Sequence, residues 1–383
     1  MVASKDMERL HFLCSCAAIL SCKRIRNSTD TQLTLTAEQE PSVISILCPM
    51  QDSLAGPSLR WKPQFKTINT PPDEFLKRFS FQESQGVCSL AKRIINFQAA
   101  MAAFHVLEIQ NISECYNIIK ELGQGSYGKV VLAQERSTGQ NSTENLSDRT
   151  LLKTFLTEFS FSITLSEHPH IITTYPVFIR TIDHYVLSQE LAAAGTLHDI
   201  IQSEVGIPEA TVKRCARQIS SALDYMHTRG LVPRDLKPDN VLLMDEDCYQ
   251  VKLSDFGLTQ PTGYYVSSMS HTIPYMSPEL CNLKEGEYLL LSPTIDCWAF
   301  GVLLFVALTG YFPWFEAMEN DSMYQVYSHW RQCPECIPPP ACWKLLSREA
   351  ICMFDNLFSQ CPCSRQSVLS IFYYFNFLWK PNV

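Results

Sequence analysis

The sequence predicts an α+β fold of two unequal lobes, the first small and β-rich, the second larger and helical, behind an N-terminal extension. Three stretches carry that expectation. "YNIIKELGQGSYGKVVLAQE" (116–135) alternates apolar and polar residues on both sides of a glycine-rich turn, the signature of a β-hairpin. Val212, Cys215, Ala216, Ile219, Ala222, Leu223 and Met226 recur at helical spacing, while Lys213, Arg214 and Arg217 stay off the stripe and Pro208 suits the first helical position. "DCWAFGVLLFVALTG" (296–310) is apolar nearly all round and reads as a core helix that Gly310 stops.

The remaining organisation follows in chain order. Residues 1–112 show no sustained periodicity, carry turn signals such as Pro71-Pro72, and form the extension; the folded domain takes 113–378. The apolar run Leu10–Cys22 is too short to span a bilayer, at about 13 residues against the roughly 20 needed. Lys5 and Arg9 are mixed with Asp6 and Glu8 ahead of it, which is poor for a signal peptide, and no transmembrane segment is expected. "YVLSQEL" (185–191) is a further strand, and the loop 231–240 falls between helices.

With 383 residues, 46% hydrophobic and 18% charged, the chain is an ordinary globular protein. A net charge of −8 excludes a general nucleic-acid binder, because no broad basic face exists to meet phosphates. The sixteen cysteines are scattered, and Cys215, Cys297 and Cys352 sit in apolar stretches, as buried free thiols do in the reducing cytoplasm. Cys333-x-x-Cys336 and Cys361-x-Cys363 lack the accompanying histidines of a zinc site, so no such metal is expected.

Chemistry enters with three motifs. Gly123-x-Gly125-x-x-Gly128 lies inside the hairpin, where missing Cβ atoms let backbone N–H groups approach an anion. Strand-like Val130, Val131 and Leu132 follow it, so a triphosphate fits better than a dinucleotide, whose motif opens a helix. In "LVPRDLKPDN" (231–240), Asp235, Lys237 and Asn240 are spaced like groups that handle a hydroxyl, a phosphate and a metal. In "SDFG" (254–257), Asp255 is a hard oxygen ligand suited to Mg²⁺, with Asn240 as a neutral second.

From about 115 to 378 the chain resembles a eukaryotic protein kinase domain. The matching stretches occur in that family's order: "GQGSYGKV", Glu158 ahead of "HPHII", "RDLKPDN", "DFG", "SPE" (277–279), "DCWAFG" (296–301) and Arg365. "SQELAAAGTLHDII", "GIPEATVKRCARQISSALDYMH" and "HTIPYMSPELC" are similar to the SH3-binding-domain serine/threonine kinases. The resemblance implies the bilobal kinase fold, ATP and Mg²⁺ as cofactors, and a protein substrate. It implies that Asp235 orients the substrate hydroxyl and Lys237 steadies the transferring phosphoryl group, while Asn240 and Asp255 hold Mg²⁺. Leu122, Gly123, Gly125, Gly128, Val130, Gln189, Glu190, Leu191 and Leu242 become the nucleotide-binding residues, with Gln189 at the gatekeeper position and Glu190 and Leu191 in the hinge. Glu279 and Arg365 are expected to form a buried ion pair, Asp296 to brace the catalytic loop, and Arg234 to suit pairing with a phosphorylated residue of the activation segment, where Ser267, Ser268, Ser270 and Thr272 stand.

Departures from the family pattern matter as much. Pro233 stands where an aromatic ring, usually histidine, supports the metal-binding loop, so a brace is lost there. No Val-Ala-x-Lys follows the hairpin. "STGQNSTENLSD" (137–148) is polar and makes a poor third strand, so either the strand is lost or coding sequence is missing. Lys153 shares a helix with Glu158 and cannot face it, and the ordinary position of Lys129 is towards solvent. His271 replaces a glycine before Thr272. No two prolines are three residues apart, so SH3-type partners find no PxxP ligand.

Overall fold

In a computed structural model the described residues are 107–381, apart from 126–127, 140, 149–151 and 268–269. The extension ahead of residue 107, with its Leu10–Cys22 run, therefore lies outside them. The small lobe is a six-stranded sheet in the order β1-β5-β6-β4-β3-β2. Its strands are β1 (Leu107–Glu108), β2 (Tyr116–Gly125), β3 (Gly128–Glu135), β4 (Asn141–Asp148), β5 (Thr174–Arg180) and β6 (His184–Gln189). The expected hairpin is β2–β3, paired from Tyr116↔Glu135 to Gly125↔Gly128.

The polar stretch expected to fail as a strand forms β4, which corrects that reading. Its backbone is paired on both sides, to β3 from Gly128↔Ser147 to Gln134↔Asn141 and to β6 from Thr143↔Gln189 to Asp148↔His184. Two neighbouring strands offering open donors and acceptors outweigh a weak intrinsic preference. The strand is present; the lysine is not, since none of residues 141–148 is one.

Helix α1 (Leu152–Leu165) crosses this sheet. Phe155 and Phe159, one turn apart, pack with Phe178 of β5 and Tyr185 and Leu187 of β6 in an aromatic cluster with ring centroids 5.4–6.1 Å apart. That packing fixes the rotation of α1 and so the position of Glu158. The chain after α1 is sewn to the larger lobe: Ile172 N–H donates to the Leu253 carbonyl (3.0 Å) and Leu253 N–H to that of His170 (2.9 Å).

The larger lobe is built on α2 (Glu209–His227) and α3 (Thr294–Thr309), with α4 (Ser322–Gln332) and α5 (Arg348–Leu357) packed around them. All seven stripe residues of α2 are buried, and Pro208 is its N-cap, one residue outside the position expected. Every residue of α3 from Ile295 to Thr309 is buried. Gly310 ends it in the left-handed region (φ 72°), where an added Cβ would meet the backbone nitrogens of Glu204 and Val205 at 2.6 Å. Cys333 and Cys336 are joined by a disulfide, with Cα atoms 5.4 Å apart. Among the described residues no helix is long and apolar enough to cross a membrane.

One ion pair braces this lobe. Arg365 donates to both carboxylate oxygens of Glu279 at 2.7 and 2.8 Å, and to the carbonyls of Thr294 and Ser359 at 2.9 Å each. Both side chains are sealed from solvent. Removing one partner strands the other charge in the core. Arg365→Met should therefore lower unfolding free energy by about 3–5 kcal/mol, read from the urea midpoint, because the buried Glu279 is left unanswered. A change below about 1 kcal/mol would contradict this account.

Candidate active site

The loop after β7 (Leu231–Val232) carries the first cluster. Pro233 is buried, and Arg234 adopts φ 74°, a strained conformation for a side-chain-bearing residue. Asp296, on the first turn of α3, holds it there: one carboxylate oxygen accepts the Arg234 N–H at 3.1 Å, the other accepts His227 Nε2 at 2.8 Å. Asp235 follows, 8% exposed. Its Oδ2 accepts from Lys237 Nζ at 2.8 Å and from Asn240 Nδ2 at 2.9 Å, and the same amide reaches the Asp235 carbonyl at 2.9 Å. Asp235 Oδ1 is buried and has no hydrogen-bond partner.

The 3₁₀ turn Pro238–Asn240 leads into β8 (Val241–Leu243), which pairs with β9 (Val251–Leu253). Ser254 N–H and hydroxyl both donate to the Asn240 carbonyl, at 3.0 and 3.2 Å, so Asn240 and Asp255 are held as neighbours. Asp255 is in the left-handed region (φ 59°), with Gly257 N–H donating to its Oδ1 at 3.2 Å. The surrounding protein, and then the charge of Asp235, hold its carboxyl above the usual range; the Gly257 N–H and Lys237 act the other way. With its NH₂ engaged by Asp235, Asn240 keeps its amide oxygen for a guest. A carboxylate and an amide oxygen fit a hard cation such as Mg²⁺.

Glu158 points at the same place. A Cβ built on Gly257 would lie 3.4 Å from Asp255 Oδ1 and 3.8 Å from Glu158 Oε2. Glu158 makes no hydrogen bond or ion pair, Lys129 included, among the described residues. Desolvation, then the charge of Asp255, push its carboxyl up to about 8. This is the physical mark of the absent lysine.

The hinge side is held by a contact that sequence reasoning missed. Gln189 is buried and donates to Thr174 Oγ1 at 3.1 Å. The Glu190 carboxylate accepts from Thr173 N–H at 2.6 Å and from Lys252 Nζ, a buried lysine on β9. Burial alone would raise the Glu190 carboxyl; the hydrogen bonds from Lys252 and Thr173 and the lysine's charge overcome that and hold it below the ordinary range. The signal was legible, since a lysine inside the apolar strand "VKL" announces a buried partner. Leu191 follows the latch half-buried, and Leu242 on β8 is opposite Lys252. Leu122, Gly123, Gly125, Gly128 and Val130 stand apart on the β2–β3 hairpin, with Gly123 opposite Val130 and nothing within 4 Å of a Cβ built on Gly123.

Beyond Asp255 the activation segment is fixed by two short ladders. β10 (Gln260–Pro261) pairs with β7, and β11 (Tyr265–Val266) pairs with β12 (Leu289–Leu290). One residue before Pro233, Val232 pairs with Gln260, and Phe256 is buried. The Arg234 guanidinium donates to the Leu258 carbonyl at 3.4 Å. Ser268 lies outside the described residues, as do the side chains of Ser270, His271 and Thr272.

A sheet lobe with one crossing helix, a helical lobe, and an Asp-x-Lys-x-x-Asn loop beside Asp-Phe-Gly define a protein kinase domain. Residues 116–374 match the protein kinase domain family, and the chain belongs to that family. Its relatives include serine/threonine-protein kinase SBK1 of Danio rerio, 40% identical over 275 residues, which are 71% of this chain and 71% of the relative. SBK1 of Mus musculus is 41% identical over 269 residues (70% of this chain, 64% of the relative). SBK2 of Homo sapiens is 40% identical over 266 residues (68% and 76%). The resemblance to the SH3-binding-domain kinases is thereby borne out.

The hinge latch has a pH signature. A carboxyl lowered on folding contributes stability that is complete above the unfolded glutamate value and declines as pH falls through the folded one. Glu190→Gln should cost about 1.5–3 kcal/mol at pH 7, the range for hydrogen bonds to charged groups. The difference from wild type should shrink progressively below about pH 4.5. Urea titrations at several pH values measure it, and a difference independent of pH would remove the ionic latch.

Proposed function

We propose that this chain is a serine/threonine protein kinase that transfers the terminal phosphoryl group of ATP to a protein hydroxyl, with turnover lowered by the missing strand lysine. The observation that carries this reading is Asp235: Oδ2 is fixed by Lys237 and Asn240, while the buried Oδ1 awaits a donor. A serine or threonine O–H supplies that donor, and accepting it aims the hydroxyl oxygen for attack and later takes its proton. Lys237, held 2.8 Å from Asp235, steadies the phosphoryl group in this reading. Asn240 and Asp255 hold Mg²⁺, which when bound neutralises charge on the phosphates. Gly123, Gly125 and Gly128 cover the phosphates, Leu122, Val130 and Leu242 meet the base, and Gln189, Glu190 and Leu191 line its edge. Of the thiols expected to be buried, Cys215 and Cys297 are and Cys352 is exposed; the two buried ones support a reducing, cytoplasmic setting, and the Cys333–Cys336 disulfide speaks against it.

Losing one charge-assisted contact to the phosphates costs about 1.5–3 kcal/mol. That is roughly one to two powers of ten in rate. Glu158, with no cation against it among the described residues, supports a second reading, a pseudokinase that keeps the fold and signals through its surface.

A phosphotransfer assay on wild type and Asp235→Asn separates the two. The kinase reading expects measurable transfer to serine or threonine that falls at least about 100-fold in the variant, as loss of a positioned base does. Equal signal from both chains would leave the pseudokinase. Mg-ATP at about 100 times its dissociation constant should stabilise the protein by roughly 2.7 kcal/mol in thermal unfolding.

A further inference from the structure

The family's metal ligands account for Asn240 and Asp255 but leave Glu158 without a task, because its usual lysine partner does not exist in this chain. Glu158 Oε2 and Asp255 Oδ1 both look at one spot over Gly257, within 3.8 and 3.4 Å of it. Their rotation is set by packing, not by attraction. Phe155 and Phe159 seat α1 against β5 and β6, and the Ser254–Asn240 bonds seat Asp255. Two carboxyl groups are thus brought over one spot by the fold itself. Asp235, whose Oδ2 accepts from Asn240 Nδ2 at 2.9 Å, adds a third carboxylate on the neighbouring loop. Lys237 is the one cation in direct contact with this group among the described residues, and it is engaged by Asp235 Oδ2.

We propose that Glu158 is a further ligand of the divalent cation held by Asp255, direct or through one of the cation's waters, so that the metal ion takes over the charge-balancing place of the absent lysine. The inference rests on the kinase reading of Asn240 and Asp255 as metal ligands. Mg²⁺ and Mn²⁺ suit the role: they prefer carboxylate oxygen, keep part of their water shell, and carry the two positive charges that the facing carboxylates lack. A site with this extra carboxylate takes the cation before nucleotide arrives. An Asn–Asp pair alone relies on the phosphates to complete the sphere.

The test is binding of Mn²⁺ to the full-length, nucleotide-free protein, followed by the electron paramagnetic resonance signal of free Mn²⁺. Wild type should bind one ion at the site. Glu158→Gln keeps the shape and removes the charge, and should weaken binding at least 10-fold; Glu158→Asp, which keeps the charge on a shorter arm, should recover part of it. Asp255→Asn should weaken binding at least as much. Thermal unfolding without cation checks folding, and Glu158→Gln is expected to be no less stable than wild type, since it replaces a carboxyl that has no hydrogen-bond partner among the described residues by a neutral group of the same shape. If Glu158→Gln binds Mn²⁺ like wild type while Asp255→Asn has lost it, the inference falls and the metal site of the kinase reading stands. If Asp255→Asn binds like wild type, that metal site falls and the inference with it. If Glu158→Gln is less stable without cation and Glu158→Asp recovers no binding, the residue is structural and the inference is overturned.

Discussion

The carboxylate of Asp296 ties the two long helices of the larger lobe to the loop that carries the chemistry. It is 1% exposed and has two oxygens for two tasks, one for His227 at the end of α2 and one for the backbone of Arg234. Arg234 sits in a region of backbone space that costs of order 1 kcal/mol or more for a residue with a side chain. Such a conformation persists where its surroundings over-determine it, and a buried charged acceptor is a strong constraint because its alternative is an unsolvated carboxylate. Asp235, Lys237 and Asn240 inherit their geometry from that anchor, since only a few bonds separate them from it.

The same economy explains how the loop tolerates Pro233. A proline inside a ladder removes a donor and breaks the pairing. At 233 it stands just past the paired residues of β7, so the Leu231–Val232 ladder to β10 is intact. A second ladder, β11 with β12, is reinforced by Gly263 N–H to Leu291 and Leu291 N–H to Tyr264, each 2.8 Å. These bonds belong to the main chain and bind the activation segment at both ends whatever its side chains carry.

What the sequence disclosed, and what it withheld, divides along a physical line. The hairpin, the α2 stripe and the buried α3 were legible because each rests on local periodicity, whereas the Glu279–Arg365 pair, 86 residues apart, was expected only from the family resemblance. β4 was misread because "NSTENLSD" has little preference of its own, and its conformation comes from strands that are distant in sequence. The Glu190–Lys252 latch joins residues 62 apart and has no local pattern beyond one charged residue in an apolar strand. The spacing of Asp235, Lys237 and Asn240 announced their proximity; that Asp235 Oδ1 would be left open could be seen only once every neighbour was in place.

β4 and Glu158 together show that packing and charge are written in different residues. A strand can be imposed by its neighbours, because every residue but proline carries the same donor and acceptor on its main chain. A charge cannot be imposed, because it belongs to one side chain and no neighbour supplies it. The fold therefore reproduces the third strand without its lysine, and the aromatic seat of α1 delivers Glu158 to its place with no cation to meet it among the described residues. A protein in this condition has two physical routes: the carboxyl keeps its proton, or a mobile cation fills the gap. On the proposed kinase reading, the charge that nucleotide and metal bring decides between these routes at the moment of binding, not of folding.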